Sequence, residues 1–187
     1  ICSGLVGSEM CIRDRYAPGY QFLHCLVNEA NGGLSSVVDG FAVANYLKKN
    51  EKNVFNILTK TYVKFKDTDY TQKAVRILHS PIITLTKDND FNDIRFSMAA
   101  MGAVDVDPKK MKKFYDAYQY FASLLQNKKF KIDFRLEAGD IFCFNNRRVL
   151  HGRTEFDPNS GNRHLQGYYI ERDEIIGRLN YFNNIKV

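Results

Sequence analysis

A histidine and an arginine stand twelve residues apart in the stretch RVLHGRTEFDPNSGNRHLQGYYI, near the carboxyl end of this 187-residue chain. His151 follows the apolar pair Val149-Leu150, and we expect it at the end of a strand. A neutral imidazole is a common metal ligand, although a lone histidine in a strand is also explained by packing. Arg163 begins the next apolar run, and a guanidinium suits bidentate binding of a carboxylate, a salt bridge being the alternative. Together they predict a metal beside an anionic ligand.

The strands and turns around these two residues determine whether their side chains can lie close together. The residues DPNSG between them predict a turn, and we expect a hairpin that places Arg163 beside the strand carrying His151. Gly139-Asp140 predicts a tight turn between strands at 130–135 and 140–144, and a further strand is predicted over 163–170.

Short apolar segments and few helices characterise the rest of the chain. Asp39 is a suitable cap for one helix, a second helical stretch follows, and Asp107-Pro108 predicts the start of a helix running to about Gln126. Strands are predicted in APGYQFLHCLV and near 61–66, 74–79, 81–86 and 93–97. This pattern predicts a mixed α/β, mainly β fold: a sandwich or jelly roll with flanking helices.

Composition excludes several classes of function. No apolar run approaches the roughly 20 residues that span a bilayer, and no signal peptide is recognisable, so we expect no membrane partner. The net charge is +6, but basic and acidic residues are spread along the chain and no nucleic-acid motif accompanies the basic runs at 109–113 and 128–131, which indicates solvated surfaces rather than a nucleic-acid patch. The four cysteines lack CxxC spacing, which favours reduced thiols and a cytoplasmic location.

Several motifs in register carry a family resemblance. GDIFCFNNRRVLHGR followed by RHLQGYY resembles the carboxyl-terminal half of γ-butyrobetaine and trimethyllysine dioxygenases, in the taurine-dioxygenase-like branch of Fe(II)/2-oxoglutarate oxygenases. APGYQFLHCL, VVDGF and FYDAYQYF match the same pattern in the same order. The resemblance covers Tyr16 to Phe182, nearly all of the chain.

The resemblance implies a double-stranded β-helix that binds Fe(II) through a His-x-Asp pair and a distal histidine, with 2-oxoglutarate and O2 as cosubstrates. It matches His151 to the distal ligand and Arg163 to the arginine that pairs with the far carboxylate of 2-oxoglutarate. Ser35 matches a hydroxyl that contacts the same cosubstrate, and Leu23 lines its pocket. Tyr169 matches an aromatic residue of a cage for a trimethylammonium group, a core tyrosine being the alternative.

The reaction implied is 2-oxoglutarate-coupled hydroxylation of an unactivated C–H bond, giving succinate and CO2. We expect γ-butyrobetaine, a quaternary ammonium compound, as substrate, then trimethyllysine, then another small amine or sulfonate. Two departures weaken the substrate assignment: Arg147-Arg148 replaces the Trp-Arg usual in the carnitine enzymes, and Ser97–Met101 differs from their asparagine-containing segment. The rival hypothesis is a metal-free jelly-roll binding protein. A homodimer is expected only by analogy.

The His-x-Asp pair of the family is absent from this sequence. The segment just before YAPGYQFLHC reads GSEMCIRDR, where Asp14 has Ile12 two residues earlier. Either the chain is a pseudoenzyme that lost two iron ligands, or residues 1–15 are a non-native leader before a partial catalytic domain at 16–187. The adapter-like composition of GSEMCIRDR favours the leader.

Three further histidines and one arginine match no ligand position. His24 and His164 are expected to be packed and hydrogen-bonded within strands, and His79 has no support as a ligand. Arg153 is expected in a structural salt bridge, with a contribution to positive potential near the cosubstrate as the alternative.

Overall fold

The protein is described from a computed structural model, which covers residues 19–70, 73–97, 101, 102, 104 and 106–184. Over these residues the elements are, in chain order, β1 (Tyr20–Asn28), β2 (Ser35–Asp39), α1 (Gly40–Asn50), α2 (Lys52–Lys60), β3 (Val63–Asp69), β4 (Ala74–Ser80), β5 (Ile83–Leu85), β6 (Phe91–Ile94), α3 (Pro108–Leu125), β7 (Lys131–Phe134), β8 (Ile141–Asn145), β9 (Val149–Arg153), β10 (Arg163–Ile170) and α4 (Arg172–Asn184).

Two three-stranded antiparallel sheets form the centre of the fold. The first has the order β10-β1-β8, and Leu23 of its central strand lies opposite Gly167 on one side and Phe142 on the other. The second has the order β7-β2-β9, and Val37 of its central strand lies opposite Ile132 and His151. Strands β3 and β4, and β5 and β6, form two separate hairpins.

One face of each sheet is turned toward the other sheet. The rings of Phe134 in β7 and Phe142 in β8 lie 5.1 Å apart between centroids, and Phe144 in β8 lies 4.7 Å from the imidazole of His151 in β9. We call the region between these two faces the inter-sheet space. Its walls come from two sheets that share no strand pairing in the described part of the chain.

The opposite face of the second sheet packs against helices. Val38 and Leu150 lie opposite each other in β2 and β9 and are buried in the hydrophobic core. The helices contribute core side chains that include Val43, Leu47, Leu58, Phe114 and Phe121. Because successive side chains of a strand point to opposite faces, burial of Leu150 against the helices directs His151 into the inter-sheet space.

The predicted fold class is confirmed: the structure is mixed α/β and mainly strands, with helices flanking the sheets. The predicted helix ending near Gln126 is α3, whose N-cap Asp107 accepts a hydrogen bond from the backbone N–H of Lys109 at 2.9 Å. Helix α4 was not predicted, because it buries none of its side chains and so has no strong apolar pattern.

Two further sequence expectations concern the amino-terminal residues and membrane-spanning helices. The proposed leader at 1–15 lies outside the described residues and stays a prediction, as do its boundary and the partial domain at 16–187. Among the described helices, none has the length and apolar character needed to cross a membrane.

Candidate functional site

His151 occupies the middle of β9, so the prediction that it lies at a strand end is wrong. Its imidazole is packed against the Phe144 ring in the inter-sheet space. Burial lowers the pKa of His151 from 6.5 to about 4, because the charged form loses its hydration there. At neutral pH the side chain is therefore an uncharged imidazole, the form that can coordinate a metal.

The predicted hairpin between His151 and Arg163 is wrong. Strand β9 pairs with β2, whereas Arg163 begins β10, which pairs with β1 and lies opposite Asn28. The turn at DPNSG exists: the backbone N–H of Ser160 donates to the carbonyl of Asp157 at 3.2 Å. The chain, however, crosses from one sheet to the other through this turn.

Arg163 differs from the other arginines of the site in its hydrogen bonding. Its Nε is buried and has no hydrogen-bond partner among the described residues. Burial lowers the pKa of Arg163, and the positive charge of Arg153 lowers it further. An unpaired buried donor costs free energy of about 1–3 kcal/mol, more when charged, so the group is poised to bind an anion.

Two more arginines lie near Arg163. The guanidinium of Arg153 stands 4.6 Å from the centroid of the Phe156 ring. Arg135 donates to the backbone carbonyls of Asn28, Ala30 at 3.1 Å and Gly32 at 3.3 Å, so it holds the loop after β1. The three positive charges favour an anionic ligand at this end of the inter-sheet space.

Ser35 and Leu23 also face the inter-sheet space. Ser35 is buried and lies opposite Arg153 in β9, on the same face as Val37 and therefore as His151. Leu23 lies opposite Phe142, whose ring contacts the second sheet. The structure thus places a hydroxyl and an apolar side chain on the same two facing surfaces as the imidazole and the guanidinium.

Tyr169 lies on the inner face of β10, opposite Gln21 of β1. Gln21 is only 3% exposed, and its Nε2 donates to the Tyr169 hydroxyl at 3.5 Å. Its Oε1 is buried and has no partner in the described part of the chain. The Tyr169 hydroxyl also lies close to Gly167, where a Cβ would stand 3.6 Å from its oxygen, an ordinary van der Waals distance.

Three residues of this region were missed by sequence reasoning: Gln21, Phe144 and Phe156. Gln21 carried a weak signal, a polar residue inside the apolar run YQFLHCLV. The two phenylalanines carried none, because each was one of fourteen in the chain and their role depends on which sheet they face.

The three remaining histidines differ in how far their side chains are buried. His164 is exposed on β10, so the prediction that it is packed is wrong. His24 is partly buried on β1, and His79 is exposed on β4. Among the residues that the structure describes, none of these three histidines lies in a cluster that could hold a metal.

The donors available for iron do not form a complete site. Within the described ranges there is no group of three or more His, Cys, Asp or Glu side chains that could hold a metal ion. His151 supplies one imidazole, whereas the facial triad implied by the resemblance needs three protein ligands. Asp14 and Ile12 lie outside the described residues. Described residues alone therefore fit an anion site with one adjacent metal ligand, not an iron site.

Comparison with known sequences shows which family and which proteins this chain is similar to. The profile of the taurine catabolism dioxygenase TauD, TfdA family matches residues 8–169. The chain is 41% identical over 162 residues to the gamma-butyrobetaine dioxygenase of Pseudomonas sp. (strain AK-1), covering 87% of this chain and 42% of that protein. It is 37% identical to the human gamma-butyrobetaine dioxygenase, covering 88% and 43%. With the trimethyllysine dioxygenase of Meyerozyma guilliermondii the identity is 30%, covering 89% and 42%.

Solved structures show the same fold at low sequence identity. An asparagine oxygenase in complex with Fe(II), 2S,3S-3-hydroxyasparagine and succinate superposes with a TM-score of 0.67 at 19% identity, covering 90% of this chain and 50% of that one. AAD-2 in complex with Mn(II) and N-oxalylglycine superposes with a TM-score of 0.65 at 14% identity, covering 89% and 68%. The chain spans less than half the length of the curated relatives described above.

Proposed function

This chain belongs to the taurine catabolism dioxygenase TauD, TfdA family, and from that premise we propose that it forms the cosubstrate- and substrate-binding part of an Fe(II)/2-oxoglutarate-dependent dioxygenase. The substrate we propose is a small trimethylammonium compound, γ-butyrobetaine ahead of trimethyllysine. The order follows the identities, 41% to a gamma-butyrobetaine dioxygenase against 30% to a trimethyllysine dioxygenase.

The observation that carries this proposal is the buried Nε of the partly buried Arg163 side chain. Its Nε lacks a described partner, and its strand borders the same inter-sheet space into which His151 points. A dicarboxylate such as 2-oxoglutarate can satisfy this donor with one carboxylate and leave its other end toward His151. Arginine is suited to that role because its fixed fork of N–H groups matches the two oxygens of a carboxylate.

Each remaining residue has a role that its chemistry allows. The Ser35 hydroxyl donates a hydrogen bond to the bound carboxylate, and Leu23 supplies an apolar wall that excludes water from it. The Tyr169 ring offers its π-face to a quaternary ammonium group, which has no N–H to donate. Gln21 holds the Tyr169 hydroxyl and so fixes the orientation of the ring.

The reaction proposed for the longer protein is hydroxylation of an unactivated C–H bond, coupled to conversion of 2-oxoglutarate and O2 into succinate and CO2. Iron would be held by His151 and by a His-x-Asp pair that this sequence lacks. The described residues therefore support binding and positioning of the two organic ligands.

We propose that the protein works in a reducing, cytoplasm-like compartment, which the free thiols of Cys25 and Cys143 support. We also propose a homodimer, by analogy with the family.

A second candidate function is a dicarboxylate-binding protein without metal. It is favoured by the absence of a metal-ligating cluster among the described residues, while the arginine-rich end of the site is intact. The two functions share the Arg163 site and differ in metal binding and in turnover.

Titration calorimetry with 2-oxoglutarate tests the shared site. We expect the chain to bind 2-oxoglutarate, Arg163→Met to abolish that binding, and Arg178→Met, which removes an exposed arginine of α4, to leave it unchanged. Equal affinity in all three proteins would refute the assignment of Arg163.

Succinate formation separates the two functions. A version of the protein extended to carry the His-x-Asp pair should form succinate from 2-oxoglutarate faster when γ-butyrobetaine is added. If it binds 2-oxoglutarate but forms no succinate with any trimethylammonium substrate, the dicarboxylate-binding function is the correct one.

A further inference from the structure

Phe156 contacts two of the three arginines at the anion-binding end of the inter-sheet space. Its ring centroid lies 5.3 Å from Cζ of Arg163 and 4.6 Å from Cζ of Arg153. Both distances are within the roughly 6 Å over which a guanidinium is attracted to an aromatic face. The ring therefore stabilises two like charges close together, which would otherwise repel each other.

The arginines of this protein are held in different ways. Arg148 forms a bidentate ion pair with Asp39, at 2.6 Å between Nη2 and Oδ2, and Arg135 donates to three backbone carbonyls. Arg163 differs, because its Nε has no hydrogen-bond partner among the described residues. Its Nε–H is therefore available to a ligand, and ring contact contributes to the orientation of the side chain.

Phe156 and Gly33 both lie against the side chain of Arg163. A Cβ at Gly33 would lie 3.1 Å from the Nε of Arg163 and 3.3 Å from the Cβ of Phe156. The absence of a side chain at position 33 lets the arginine and the phenylalanine lie against the backbone there. Position 33 has a positive φ of 68°, which also favours glycine.

The backbone fixes the ring in this place. Phe156 forms an isolated bridge with Gly32, and the N–H of Gly33 donates to the carbonyl of Glu155 at 2.9 Å. The N–H of Asp157 donates to the carbonyl of Asn31 at 3.0 Å. The residues on both sides of Phe156 are thus bound to the loop between β1 and β2, so the backbone that carries the ring is anchored on both sides.

We propose that Phe156 is a positioning residue, which orients the Arg163 guanidinium for its carboxylate ligand through ring contact rather than hydrogen bonds. This inference rests on the proposed function for the identity of the ligand. The ring contact itself exists without a ligand, and it can be measured separately.

Two substitutions separate the aromatic ring from apolar bulk. Phe156→Leu keeps an apolar side chain and removes the π-face, whereas Phe156→Tyr keeps the ring. Phe182→Leu is the matched control, because Phe182 is 68% exposed on α4. Thermal unfolding of each variant shows whether the fold is retained.

The first measurement is the NMR signal of the Arg163 Nε–H group without ligand, assigned from its disappearance in Arg163→Lys. We expect the aromatic ring current to shift this signal in the wild-type protein and in Phe156→Tyr. In Phe156→Leu it should move toward the position of an exposed arginine. An unchanged signal in Phe156→Leu would overturn the proposal, whatever the binding data show.

The second measurement is the dissociation constant of 2-oxoglutarate. Phe156→Leu should weaken binding roughly five- to thirtyfold, the range expected for loss of one cation–π contact. Phe156→Tyr and Phe182→Leu should leave it within about twofold. A loss of affinity that Phe156→Tyr shares would indicate a structural role and refute the proposal. If the wild-type protein binds no 2-oxoglutarate while the NMR signal responds to Phe156→Leu, the proposed function fails and the positioning contact is supported.

Discussion

The imidazole of His151 and the ring of Phe144 lie 4.7 Å apart on strands of two different sheets. This contact covers one side of the imidazole and contributes to its burial. The charged form of the imidazole is therefore disfavoured, and the neutral form is available over most of the pH range.

A loss of stability on acidification follows from this environment. Burial lowers the pKa of His151 to about 4, so the unfolded chain binds a proton more readily than the folded protein. The stabilisation, roughly 3 kcal/mol, is fully present above pH 6.5 and is lost as the pH falls toward 4. Urea unfolding between pH 7 and 4.5 should show this loss, and His151→Gln should show a smaller one. The same pH dependence in both proteins would contradict the assignment.

Asp39 combines two roles that substitution can separate. Its carboxylate caps α1 by accepting from the backbone N–H of Phe41 at 3.0 Å, and it pairs with Arg148. Burial alone would raise the pKa of Asp39, but the hydrogen bond and charge of Arg148 and two backbone donors lower it overall.

Asp39→Asn should keep the cap and lose the ion pair, which costs about 0.2–1 kcal/mol at a partly exposed site. Asp39→Ala should lose both and cost about 1–2 kcal/mol more. Chemical denaturation measures the two free energies of unfolding. Equal losses would show that the side chain does not cap the helix.

Two glycines with positive φ should respond differently to alanine. At Gly32, with φ of 82°, a Cβ would lie 2.4 Å from the carbonyl oxygen of Glu155. At Gly139, with φ of 96°, no atom of the described residues other than its chain neighbours lies within 4 Å of the same position. Gly139→Ala should cost about 1 kcal/mol from backbone conformation alone, and Gly32→Ala should cost more because it also displaces the 155–157 segment. Thermal unfolding compares them, and equal losses would contradict the close approach.

The hydrophobic core under the second sheet depends on α1. Leu47 is fully buried there, whereas Leu179 of α4 is 52% exposed. Leu47→Ala should lower the free energy of unfolding by about 2–5 kcal/mol, and Leu179→Ala should change it by less than about 0.5 kcal/mol. Guanidinium denaturation tests the pair. A large effect of Leu179→Ala would show that α4 is packed against another surface in solution.

Iron binding by this chain should be weak. His151 is one imidazole, and the sequence contains no His-x-Asp pair to complete the site. Anaerobic titration with Fe(II) should therefore show no stoichiometric binding, and His151→Ala should change the result little. Tight binding of one equivalent would mean that other residues of the chain supply the missing ligands.

The sequence by itself determined much of this molecule. The Asp107-Pro108 start predicted α3, turn residues predicted the turns at DPNSG and at Gly139-Asp140, and short apolar segments with few helices predicted a mainly β fold. These features depend on residues close together in the chain, so local preferences suffice. The family motifs also identified which residues to examine in the site, including His151 and Arg163.

Only the tertiary structure decided how those residues meet. The expected hairpin between His151 and Arg163 does not form, because β9 finds its partner in β2 and β10 finds its partner in β1, more than a hundred residues away. Strand pairing at such separation depends on which faces can be buried together, which no local pattern records. The lowered pKa of His151 and the contact of Phe156 with Arg163 both follow from that pairing. The pairing decides which side chains the two facing sheets bring together, and which of them are buried.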